Sequence, residues 1–176
     1  PTSGTCQGAT FDVVLTVDPT PSIAAQTTAV CTGVAFSVSP ANGSGNIVPT
    51  GTTYDWSAPS AISGISGLAS GTNESTIDGA LTNSTNAAIQ VTYVVTPTSG
   101  SCQGAPFNVV VTVNPVPSVV DQTTAVCTGV AFSVAPANGS GNIVPTGTTY
   151  DWSAPSAITG ISGLSSGTAQ TTIGGT

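Results

Sequence analysis

An all-β chain built from tandem β-sandwich repeats of 96 residues is what the sequence predicts, and three observations predict it. The chain repeats itself: Cys6 recurs as Cys102, Cys31 as Cys127 and Trp56 as Trp152, each 96 positions later. Short runs rich in Val, Ile and Thr alternate with period two between Gly-, Pro- and Asn-rich turns, and no segment shows a 3.6-residue period. The composition agrees, since 30 Thr and 22 Ser stand among 176 residues of which only 4% are charged. Disordered chains combine low hydropathy with high charge, whereas here the mean hydropathy is +0.31. Such a chain suits a sheet with a hydroxyl-covered surface.

The repeat sets the domain plan. Residues 18–80 align with 114–176 without a gap, with 50 identities in 63 positions. Residues 1–17 align with 97–113, with 13 identities in 17. The expected units are therefore the last strand of a preceding repeat (1–17), one complete repeat (18–113) and an incomplete following repeat (114–176). Starting and stopping in mid-repeat points to a piece of something longer.

In chain order, Pro19 and Pro21 mark a linker, with a short first strand expected at 22–25. Val34, Phe36 and Val38 alternate as the inward face of a second strand, closed by Pro40 and the turn 42–46. A third strand over 52–57 places Tyr54 and Trp56 on one face. Ile62, Ile65 and Leu68 punctuate a Gly/Ser-rich stretch, 61–70, read as a weak strand at most. Strands over 74–81, 88–96 and 107–113 complete the set, and 11–17 repeats the last of them. About seven strands per repeat with an aromatic on the third is the pattern of an immunoglobulin-like sandwich. Tyr54, Trp56 and Phe36, with their copies Tyr150, Trp152 and Phe132, are the expected core.

One ordered set of motifs resembles a known family. It runs from Ala29-Val30-Cys31-Thr32-Gly33 through Thr53-Tyr54-Asp55-Trp56-Ser57 and Ile65-Ser66-Gly67 to Thr76-Ile77 and Leu81-Thr82-Asn83. It continues through Val91–Pro97 and Gly100-Ser101-Cys102-Gln103-Gly104 to Val111-Thr112-Val113-Asn114-Pro115. Together these are similar to the PKD-like, immunoglobulin-like tandem repeats of large Bacteroidota cell-surface proteins, of the gliding-motility adhesin type. The resemblance implies secretion through the type IX system, display at the outer surface and no catalysis.

Composition excludes several functions directly. The chain has no Lys, no Arg and no His, and seven carboxylates give a net charge of −7. Nucleic-acid binding, which needs cations against phosphates, is excluded, as is a polybasic grip on lipid. Ser-His-Asp and Cys-His catalysis, His metal sites and Lys Schiff bases are excluded as well. No stretch is apolar enough for a membrane helix, so membrane insertion is not expected. The seven acids are scattered, with no run of alternating Asp and Asn, which argues against a calcium loop. No cofactor is expected. Asn42, Asn73, Asn83 and Asn138 stand in Asn-x-Ser/Thr triplets that arise by chance in Ser/Thr-rich sequence.

Two cysteines per repeat, in a chain of this composition, point to an oxidising extracellular setting and to structural disulfides. The default pairing is Cys31 with Cys102 inside the complete repeat, leaving Cys6 and Cys127 to partners in an adjoining repeat or subunit. It depends on how many strands traverse the sandwich between the two cysteines. An odd number puts them at opposite ends, about 20 Å apart by strand rise, and then neighbouring repeats would be stapled instead. The status of 61–70 leaves both readings open.

The expected function is that of a structural, non-catalytic repeat segment of an extracellular bacterial surface filament or stalk-type adhesin. Its partners would be neighbouring copies of itself along a fibre, with strand 11–17 filling the edge of an incomplete neighbouring sandwich. The alternative is a multivalent adhesive module whose loops, such as 41–51, bind a glycan or surface protein.

Overall fold

The computed structural model of the protein describes residues 1–175. A small hairpin, β1 (Thr2–Ser3) and β2 (Cys6–Gln7), starts the chain. The complete repeat holds β3 (Gln26–Cys31), β4 (Ala35–Val38), β5 (Thr53–Trp56), β6 (Ile65–Ser66) and β7 (Gly71–Glu74). It continues with β8 (Ile77–Ala80), β9 (Thr82–Asn83), β10 (Ile89–Ser99), β11 (Cys102–Gln103) and β12 (Phe107–Asn114). The following repeat contributes β13 (Phe132–Val134), β14 (Tyr150–Trp152), β15 (Gly167–Gln170) and β16 (Ile173–Gly175).

The larger sheet of the complete repeat runs β3-β12-β10-β5-β7, with β11 turning back on the end of β10. All its pairings are antiparallel except β3 with β12, which are parallel. The second layer is β4 with β8, flanked by the short pair β6 and β9. Alternation explains the packing. From β10 the side chains of Val91, Tyr93 and Val95 turn inward, and from β12 those of Phe107, Val109, Val111 and Val113. They meet Phe36, Val38 and Ile77 from the other layer, and Phe36 touches Tyr93 with ring centroids 5.7 Å apart. This is an immunoglobulin-like all-β sandwich. Burying four Val and Phe side chains from β12 alone contributes about 6–12 kcal/mol of transfer free energy.

Trp56 and Tyr54 lie in that core, and the Trp56 indole N–H donates to the Ala69 carbonyl at 3.1 Å. Gly71 leaves room for the indole: a Cβ there would meet the ring at 2.3 Å.

The following repeat reproduces this local structure but not its closure. Phe132 pairs with Gly175 as Phe36 does with Gly79, and Trp152 with Gly167 as Trp56 does with Gly71. Its residues Phe132, Tyr150 and Trp152 are only half-buried, and the described residues include no counterparts of β10 and β12. Nor do 122–127, which match the sequence of β3, form a strand, since β3 exists as the parallel partner of β12.

Three local expectations are corrected. The stretch 22–25 holds a single bridge, Ser22 with Ile47, and the first strand of the sandwich begins at Gln26. The single strand expected over 74–81 is divided between β7 and β8, whereas 61–70 holds only Ile65–Ser66, in keeping with a weak strand at most. Residues 11–17 form no strand, and Phe11, Val13, Leu15 and Val17 are more than 70% exposed, because nothing lies beside them to pair with.

Candidate interface at the two poles of the repeat

Five strands traverse the complete repeat between Cys31 and Cys102. The Gly/Ser stretch is not one of them, but 71–80 divides into two strands, β7 and β8, with a reversal between Glu74 and Ile77. Five is odd, so the two cysteines lie at opposite poles. Cys31 ends β3 beside Asn114, the last residue of β12. Cys102 opens β11, paired with Ser99 at the end of β10 and beyond the start of β12. The eight residues of β12 span about 26 Å, several times the Cα separation that a disulfide allows. The default pairing of Cys31 with Cys102 is therefore not made in this fold, and all four thiols are free.

At the incoming pole the linker packs on the β10–β11 hairpin. The Cys102 thiol lies 3.8 Å from the carbonyl oxygen of Asp18. The Gly104 N–H donates to the Pro97 carbonyl at 2.8 Å, and Gly104 faces the Pro21 carbonyl so closely that a Cβ would stand 2.2 Å from it. A glycine is required there.

At the outgoing pole a polar cluster gathers around Asn83. Its amide donates to the carbonyls of Ala87 at 2.8 Å and Val113 at 2.9 Å. Its side-chain oxygen accepts from the Thr85 N–H and hydroxyl, while its backbone N–H donates to the Thr32 hydroxyl at 2.7 Å. Next to it the Thr32 N–H donates to the Asn114 carbonyl at 2.8 Å. Every polar atom of the Asn83 side chain is satisfied, as burial demands. Sequence reasoning took Asn83 only as part of a chance sequon, and no periodic signal distinguishes a buried Asn from an exposed one. The chain thus comes in at one pole and leaves at the other.

Two concave surfaces lie outside the poles among the described residues. The outer face of β10, with Gln90, Thr92 and Val94, forms an open groove of about 870 Å³ against 55–62, where Asp55 is its one charged residue. The second, about 700 Å³, is the uncovered core of the following repeat, lined by Val126, Phe132, Trp152, Leu164 and Ile173. Among the described residues no three His, Cys, Asp or Glu side chains gather to hold a metal, and no helix is long and apolar enough to cross a membrane. Cys6 in β2 and Cys127 are both exposed.

The fold and its poles define an immunoglobulin-like β-sandwich repeat. A model of the PKD-like domain family matches residues 28–117, just over half of the chain. The chain belongs to that family. Comparisons with curated proteins and with solved structures each return no match. PKD-like domains are extracellular-type structural or adhesive modules, commonly found in extracellular or surface proteins and typically non-catalytic.

Proposed function

We propose that this chain is a structural, non-catalytic segment of an extracellular bacterial surface filament or stalk-type adhesin, in which PKD-like repeats follow one another pole to pole. The observation that carries the reading is the opposite placement of Asp18 and Asn114, the same position one repeat apart, at the two poles of the complete repeat. A unit of that kind adds length with each copy. Pro19 and Pro21 before the sandwich, and Pro115 and Pro117 after it, stiffen the connection.

Neighbouring copies along a fibre are the partners this reading requires. Residues 11–17 correspond to β12 one repeat earlier. The exposed Phe11, Val13, Leu15 and Val17 match the buried Phe107, Val109, Val111 and Val113 in order. In a pole-to-pole array this segment takes the place of β12 in its own sandwich, which removes an open sheet edge.

The groove along β10 favours the second reading, an adhesive module for a glycan, because Ser57, Ser60, Gln90 and Thr92 bring hydroxyl and amide groups to a wall that also holds Trp56 and Asp55. A glycan array probed with the full chain decides between them. A structural stalk gives no reproducible hits. A consistent set of hits, lost on Thr92→Tyr in the groove, contradicts the purely structural reading.

A further inference from the structure

We infer that a disulfide staples each junction between successive repeats, joining Cys31 of one repeat to the Cys102 position of the next. The inference rests on the pole-to-pole array proposed above. Its basis is one position seen twice. Asp18 and Asn114 are equivalent residues, 96 positions apart. The Cys102 thiol lies 3.8 Å from the Asp18 carbonyl, so the Cys102 equivalent of a following repeat lies as close to Asn114. Cys31 is itself the register partner of Asn114 on the neighbouring strand, and Thr32 beside it donates to the Asn114 carbonyl at 2.8 Å. The two thiols therefore flank the same residue from two sides of one junction.

Cys31 stands one strand spacing, about 4.8 Å, from Asn114, and the Cys102 equivalent of the next repeat lies against the carbonyl of that same residue, so the two cysteines meet at one residue, as the ~4.4–6.8 Å between Cα atoms in a disulfide demands. Access is available on both sides, for Cys31 is exposed and Cys102 half-buried. By contrast, the pair within one repeat is separated by the length of β12. The same geometry explains why none of the four cysteines meets another within this chain: each belongs to a junction whose other thiol lies one repeat away.

Closure follows ordinary thiol–disulfide exchange. A Cys31 thiolate attacks an oxidised small-molecule disulfide such as glutathione disulfide, expelling one thiolate. The second cysteine then displaces the other half, so two protein thiols lose two hydrogens and one donor disulfide becomes two thiols. The product locks one pole onto the next and prevents the proline linker from bending.

The test uses the full chain extended after residue 176 by a copy of its own residues 81–113, which completes the second repeat. In the Cys102→Ser, Cys127→Ser double variant the remaining thiols are Cys6, Cys31 and the copied Cys102. After exposure to glutathione disulfide, titration of the denatured protein should find one thiol, and the intact mass should show a monomer lighter by two hydrogens. Three thiols, or a disulfide between two chains, overturns the staple. In the Cys31→Ser variant, Cys6, Cys102, Cys127 and the copied cysteine should all stay reduced, whereas loss of two thiols within one chain restores the intradomain pairing and overturns the proposal. Small-angle scattering under reductant separates the two layers of the argument. A rod with all thiols free overturns the staple alone, and a compact particle overturns the array and the staple together.

Discussion

The Asn83 side-chain amide and the Val113 carbonyl meet at 2.9 Å inside the protein, tying the short strand β9 to the last residues of β12. Only 2% of Asn83 is exposed, and the same amide holds the Ala87 carbonyl. The buried Val113 carbonyl therefore depends on this side chain at the pole where the chain leaves the repeat, while the Ala87 carbonyl also accepts from the Thr85 hydroxyl at 3.0 Å.

Asn83→Ala removes the side-chain donor of the buried Val113 carbonyl and should destabilise the complete repeat by about 1–3 kcal/mol. Urea unfolding followed by Trp56 fluorescence in a Trp152→Phe background measures it. A change within the error of the midpoint would show that the cluster is not structural. Asn83→Asp adds a pH signature: near-complete burial against the Val113 carbonyl disfavours the carboxylate by more than the Thr85 N–H and hydroxyl favour it, so its folded-state pKa is raised. That variant should lose stability as pH rises above about 4, and the parent's profile should not show this added loss.

Gly71 and Trp56 make the second prediction. Gly71→Ala places a methyl group where the indole stands, 2.3 Å from its ring atoms. Overpacking of this kind costs about 1–3 kcal/mol. Trp56 fluorescence should shift to the red as the ring is displaced from the core, and the unfolding midpoint should fall. An unchanged spectrum would place the indole elsewhere.

Asn73 and Ala169 occupy equivalent positions with φ of +58° and +52°. In each copy the backbone N–H at this site donates to the preceding Asp, Asp55 at 2.9 Å and Asp151 at 2.7 Å. Asn tolerates the left-handed region and Ala does not, at a cost of about 1–2 kcal/mol. Ala169→Gly should therefore slow hydrogen exchange across 167–170, whereas faster exchange would contradict the assigned backbone.

Alkali provides the fourth prediction. Burial raises the pKa of Tyr54 and of Tyr93 above 10.0. In the unfolded chain both ionise near the ordinary value, so above about pH 10 the unfolded state binds fewer protons and is favoured. Stability is fully present below that pH and is lost as pH rises through the elevated folded-state values. Tyrosinate absorbance from these two rings should appear together with unfolding, and its appearance in a still-folded protein would contradict their burial.

How far the sequence reads ahead of the structure depends on where each strand finds its partner. β12 and β10 are legible because strict alternation, Phe107-Val109-Val111-Val113 and Val91-Tyr93-Val95, survives in the core. β3 is not, because its exposed face carries Thr27, Ala29 and Cys31 and its inner face Gln26, Thr28 and Val30, a weak contrast. Its existence is fixed by a parallel partner some 80 residues away. The pole of each cysteine turned on a reversal between Glu74 and Ile77 that splits one expected strand into two. Ser75 and Thr76 are ordinary in either conformation. The core of the following repeat shows the converse: identical residues are half-buried when their covering strands are missing, so burial is a property of the assembled sheet.

The central claim is that each repeat adds length because its two poles are opposite, and the maximum dimension of the particle measures this directly. Small-angle scattering would compare the full chain, extended by its own residues 81–113, with a version carrying one further copy of 18–113. The account predicts an increment of at least about 26 Å for the added repeat, the span of β12 by strand rise, with an unchanged cross-section. A cross-section that grows while the maximum dimension stays constant would contradict it.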